Sequence, residues 1–247
     1  IIFMENKCSF GKSAIFMLAN TILTLFVLAL IVNFAPMRFA NIFLNPLGVV
    51  KGVQYEQEKE YKKEEESFEK NFKTTLQNKK AEIYSVDSPY FGASDAKAVV
   101  VIFSDYQCGY CKALSDYTLN IYNDPKYKGK VKFIIKDYPI LGQLSGVLAI
   151  LGVQGFEIEP AKFAELHHAL FNAKSAEAGV GIVQKITGKK IDIKNSKTAG
   201  ELIQRNMELG REVNVRGTPG IIIGDEFIGG LIPEDEMRRR IDAELAK

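Results

Sequence analysis

Cys108-Gly109-Tyr110-Cys111 sets two thiols three residues apart in a chain whose only other cysteine is Cys8. On a helix, that spacing puts both sulfurs on one face, near enough for a disulfide between Cys108 and Cys111 to form and break. The motif follows a buried, β-rich run, Ala98-Val99-Val100-Val101-Ile102-Phe103, that ends at Ser104-Asp105, and helix-compatible sequence starts after Cys108. Free N–H groups and the positive dipole end stabilise a thiolate at a helix amino terminus. Cys108 is therefore expected to attack and form the mixed disulfide. Cys111, one turn inside and better shielded, is expected to resolve it.

Other uses of two cysteines are poorly supplied. A structural zinc site needs two more thiol or imidazole ligands. The histidines are His167 and His168, and neighbours on a helix point roughly 100° apart, so no metal is expected. A c-type haem site needs His after the second cysteine, and Lys112 stands there. No cofactor is expected beyond the cysteines themselves. Lys112 reads either as an ordinary solvated lysine or as one that adds positive field to the thiols. Asp105 fits two roles, a proton relay to Cys111 or an amino-terminal capping carboxylate. His167 and His168 read as surface and core residues of an inserted helix. Gly210 and Gly217 read as helix-stop and turn glycines.

A second feature is Thr218-Pro219, just before Ile221-Ile222-Ile223. Proline cannot donate to a sheet, so its place at a strand edge needs a reason. A cis X-Pro bend is one, and beside a reactive cysteine it leaves the Thr218 backbone free to pair with an extended peptide.

Elements must position these residues. Residues 84–247 read as one α/β domain in the order strand, helix, strand, a helical block over about 143–213, a hairpin, and a helix opened by Pro233. That order fits a sheet covered by helices on both faces. Residues 51–83 are dense in Glu and Lys. They favour a solvated helix with pairs such as Glu58–Lys62, serving either as a charged spacer or as a segment that makes a homo-oligomer.

Residues 14–35, AIFMLANTILTLFVLALIVNFA, carry no charge and follow Lys7 and Lys12. About 20 apolar residues span a bilayer, whereas a cleaved signal has about 7–15. The run is expected to be a transmembrane anchor or a signal sequence, with residues 1–13 cytoplasmic and the rest exported. Residues 36–83 then form a linker and charged helical segment. The formal net charge of +2 argues against a dedicated nucleic-acid binder. Three cysteines in 247 residues exclude a disulfide-stapled scaffold.

The stretches VVVIFSDYQCGYCK (99–112), DYPILGQLS and ELHHALF in the helical insertion, and VRGTPGIIIGDEFIGG (215–230) resemble the thioredoxin-like DsbA family, in its bacterial membrane-associated branch. The resemblance implies a thioredoxin fold with a helical insertion, acting in the cell envelope. It puts the nucleophile on Cys108, the resolving cysteine on Cys111 and the cis-proline on Pro219, with Thr218 before it. It implies unfolded or partly folded exported proteins as substrates and a redox partner that resets the site. Gly109-Tyr110 is similar to the pair in the isomerases DsbC and DsbG, not to the Pro-His of strongly oxidising members, which leaves oxidase, isomerase and reductase open. A binding or chaperone module on the same scaffold is the alternative of a different class.

Overall fold

The computed structural model describes residues 49–85, 87–191 and 197–247. Cys8, the apolar run 14–35 and the linker up to residue 48 lie outside the described residues. Among the described residues, no helix is long and apolar enough to cross a membrane. Two compact units meet in sequence between Ser67 and Phe68. In the first, the described residues belong to helix α1 (Val49–Asn78). There Glu58 and Lys62 pair at 3.3 Å with both side chains exposed, which contributes only about 0.3–0.5 kcal/mol.

The second unit is built on a five-stranded sheet in the order β1-β3-β2-β4-β5. The strands are β1 (Tyr90–Gly92), β2 (Ala98–Ser104), β3 (Val131–Asp137), β4 (Gly220–Ile223) and β5 (Glu226–Gly229). β2 and β3 run parallel, joined by helix α3 (Gly109–Asn123), and the other pairs are antiparallel. A strand buried on both faces is apolar at every position, as the run 98–103 is.

Alternate residues feed two cores. Val100, Ile102, Phe133, Ile135, Ile221 and Ile223 face Leu114 and Ile121 of α3, together with the insertion. Val101, Phe103, Ile134 and Ile222 face Phe72, Leu76, Ile83, Leu209 and Val213. The insertion comprises α4 (Gln143–Ile158), α5 (Phe163–Leu170), α6 (Ala176–Thr187) and α7 (Lys197–Glu212); α2 (Lys80–Ile83) precedes β1 and α8 (Glu234–Ala246) closes the chain.

Two details differ from the sequence reading. The end of the segment read as a spacer belongs to the domain's core: Phe72 and Leu76 are buried, and the Phe68 and Phe72 rings lie 5.8 and 5.5 Å from Phe227. Gly210 does not stop a helix. α7 runs on to Glu212, and the chain turns at Asn214, with φ 60, where the Val215 N–H bonds back to the Gly210 carbonyl at 2.8 Å. Gly210 makes room instead, since a Cβ there would stand 2.5 Å from the Tyr138 ring. At Gly155 of α4 the missing Cβ likewise makes room, here for the Leu166 side chain.

Truncating Phe72 to Ala is expected to cost about 3–5 kcal/mol in urea unfolding, as for a buried aromatic. Glu58→Ala should stay within about 0.5 kcal/mol.

Candidate active site

β2 ends where its neighbours end, with Ser104 opposite Asp137 and Phe103 opposite Gly220. The chain then turns sharply: the Cys108 N–H bonds to the Asp105 carbonyl at 3.0 Å. That turn delivers Cys108 to the amino terminus of α3, where its sulfur is the capping acceptor for the Cys111 N–H at 3.4 Å. The Thr218–Pro219 bond is cis. It brings the Thr218 carbonyl to the amino end of α3, and the Cys108 thiol donates to it at 3.3 Å. Both cysteines carry free thiols. The structure thus gathers Asp105, Cys108, Gly109, Tyr110, Cys111, Thr218 and Pro219 at one end of the sheet.

The two sulfurs sit in different surroundings. Burial pushes the Cys111 thiol up to about 12, and the neighbouring Cys108 adds to the rise. Hydrogen bonds from the Asp105 main chain and the Thr218 side chain offset only part of it. Cys111 therefore holds its proton, while Cys108 has the helix terminus.

Asp105 does something the sequence did not foresee. Its buried carboxylate accepts the Gln107 N–H at 2.8 Å, the Ile140 N–H at 2.8 Å and the Leu141 N–H at 3.0 Å. It does not cap α3, since the Cys108 sulfur does. Its contact with Cys111 is through its main chain. The carboxylate joins the nucleophile turn to the loop after β3. Beside it Asp137 is fully buried, and desolvation, then the Asp105 charge, raise it well above the usual carboxylate range. Its Oδ1 has no hydrogen-bond partner among the described residues.

Around the thiols, Tyr110, Ile140 and Leu141 are exposed, Tyr110 at 68%. Lys112 is exposed and donates to Asn172 Oδ1 at 2.7 Å, so it reaches the insertion. The two imidazoles diverge, as helix neighbours must. His168 Nδ1 lies 3.2 Å from Ser115 Oγ and 3.3 Å from Asp116 Oδ1. His167 is buried, with Nδ1 2.8 Å from the Tyr106 hydroxyl. The available clue to that pair was Tyr106, two residues before the nucleophile.

Residues 84–243 match the thioredoxin family. Disulfide bond formation protein D of Bacillus subtilis (strain 168) is 26% identical over 170 residues, covering 64% of this chain and 77% of that protein. Among solved structures, the thiol-disulfide exchange protein alpha-DsbA2 of Wolbachia pipientis is 29% identical with a TM-score of 0.64, covering 71% of this chain and 96% of its own. A periplasmic thioredoxin-like protein of Salmonella enterica serovar Typhimurium is 32% identical with a TM-score of 0.61, covering 68% and 95%.

With Cys111 raised to about 12, its thiolate at pH 7 is about a thousandfold scarcer than that of a free thiol. In the folded dithiol protein, Cys111 should be alkylated at least ~100 times more slowly than glutathione, its rate climbing with pH beyond 9. Peptide-resolved mass spectrometry of timed iodoacetamide labelling measures this.

Proposed function

This chain belongs to the thioredoxin family and is a thiol–disulfide oxidoreductase, and from that premise we propose that it exchanges disulfides in exported proteins through Cys108. The contact that carries the reading is the Cys108 sulfur at the α3 terminus, 3.3 Å from the Thr218 carbonyl. A substrate strand laid along Thr218 brings its cysteine to the one sulfur that is both reactive and reachable.

Starting from the dithiol, the Cys108 thiolate attacks one sulfur of a substrate disulfide. The S–S bond breaks, the second substrate sulfur leaves as a thiolate that takes up a proton, and a Cys108–substrate disulfide remains. Two resolutions follow. Another substrate thiolate attacks the substrate sulfur of the mixed disulfide and frees Cys108, so the disulfide is reshuffled with no net electron transfer. Alternatively Cys111 loses its proton and attacks Cys108, so the substrate leaves reduced and the enzyme holds a Cys108–Cys111 disulfide. Run backwards, the second route oxidises a substrate dithiol. The high proton affinity of Cys111 slows its attack and lengthens the life of the mixed disulfide. That favours reshuffling, in line with Gly109-Tyr110. A redox partner restores whichever state the dominant route consumes.

Exposed Tyr110, Ile140 and Leu141 suit apolar segments that only unfolded or partly folded proteins present. The envelope is the proposed location, with the run 14–35 as anchor or signal; the periplasmic Salmonella relative supports it.

Cys111→Ser is expected to accumulate mixed disulfides with exported proteins, seen as thiol-sensitive bands on non-reducing gels. Cys108→Ser should remove those bands and lower exchange with a scrambled substrate by at least ~100-fold. Exchange that persists in Cys108→Ser would sink the reading and leave a binding module.

A further inference from the structure

Tyr106 precedes the nucleophile by two residues, inside the turn closed by the Cys108 N–H bond to the Asp105 carbonyl. One side of that turn is tied down by the Asp105 carboxylate. The other side is held by the Tyr106 side chain, which runs into the insertion, 4% exposed. Its ring lies 4.9 Å from Phe171 and 5.3 Å from His167. Its hydroxyl sits 2.8 Å from His167 Nδ1.

This polar pair is enclosed by apolar rings. Phe171, Phe163 and Phe91 have centroids 5.2, 5.7 and 6.3 Å from His167. Burial drives the imidazole down to about 3, and burial raises the phenol well above its usual range. Both groups are neutral, so they share a single hydrogen bond whose donor is set by the imidazole tautomer. Gly152 of α4 closes the remaining side, since a Cβ there would stand 2.8 Å from the hydroxyl oxygen. Two phenylalanines would fill such a cage without polar atoms. The hydrogen bond adds direction, fixing one angle for the ring and hence for the backbone that bears it. In an apolar setting, a lone partner left behind has nowhere else to turn.

We propose that Tyr106 and His167 are positioning residues for exchange at Cys108: their buried hydrogen bond fixes the Asp105–Cys108 turn against the helical insertion and so sets how the Cys108 sulfur meets the Cys111 N–H. The inference rests on Cys108 as the attacking thiol. The insertion acts as the jig that holds the nucleophile in register with its helix, besides covering one face of the sheet. Loosening the turn lengthens the 3.4 Å contact from the Cys111 N–H to the Cys108 sulfur and weakens the stabilisation of the thiolate.

The experiment compares the full chain with Tyr106→Phe, His167→Phe, the double variant and Gly152→Ala, reading the pH dependence of Cys108 alkylation and, in parallel, thermal stability. Tyr106→Phe is expected to slow alkylation at pH 7 by roughly three- to tenfold and to move the half-maximal pH upward by about half to one unit. His167→Phe should do the same, and the double variant should lose no more than the larger single loss, since one hydrogen bond is removed in each case. Gly152→Ala, which crowds the hydroxyl from α4 without removing either partner, should move the profile in the same direction. An unchanged pH profile in both Tyr106→Phe and Gly152→Ala, whether or not the melting temperature falls, overturns the proposal, as does full additivity in the double variant. Alkylation is read at Cys108 whichever sulfur attacks substrates. Failure of the functional reading shows separately, as exchange surviving in Cys108→Ser.

Discussion

β2 is buried on both faces, and that constraint organises the molecule. Val100, Val101, Ile102 and Phe103 are all at most 3% exposed, so neither face of this strand meets water. One layer comes from α3, α8 and helices α4–α6 of the insertion. The other comes from the end of α1, α2 and α7. At about 1.5–3 kcal/mol for each large apolar side chain removed from water, these two layers dominate the cohesion of the domain. The strand has to emerge somewhere, and it does so at Ser104-Asp105, between β3 and β4. The reactive turn is the exit of the central strand.

What the exit does chemically follows from how its polar groups are satisfied. The Asp105 carboxylate gathers three main-chain N–H groups from two loops. Cys108 takes the helix-end donor, and Cys111 is left in a desolvated position that favours its thiol. On the proposed mechanism, that contrast in surroundings between two sulfurs one turn apart separates the attacking role from the resolving one. Asp137, whose Oδ1 has no hydrogen-bond partner among the described residues, lies beside Asp105.

Much of this was legible in the residues. Cys108, Cys111 and the Thr218-Pro219 bend announce themselves because chemistry restricts which residue types can stand there. The apolar run 98–103 gave the central strand, since no other element is apolar at every position over so short a length. β1 was missed: at three residues, Tyr90–Gly92 has no period, and it exists only because β3 offers an open edge. Phe68, Phe72 and Leu76 recur every four residues, a stripe on one helix face, but Glu and Lys around them made the segment read as a solvated rod. The role of Asp105 was out of reach because its partners are main-chain N–H groups, which every residue except proline carries. Gly210 misled for a related reason: a glycine that admits a neighbouring ring looks the same in sequence as one that ends a helix.

Between the two sulfurs lie Gly109 and Tyr110, both exposed on the first turn of α3, and a Cβ added at Gly109 would meet nothing within 4 Å. The first position of a helix also tolerates proline. Residues there bear on the charge and hydrogen bonding felt by Cys108 but carry almost none of the packing that holds the sheet together. Natural variation can therefore retune how strongly the site oxidises or reduces while folding stability is left nearly untouched, so the two properties are free to evolve under separate selection.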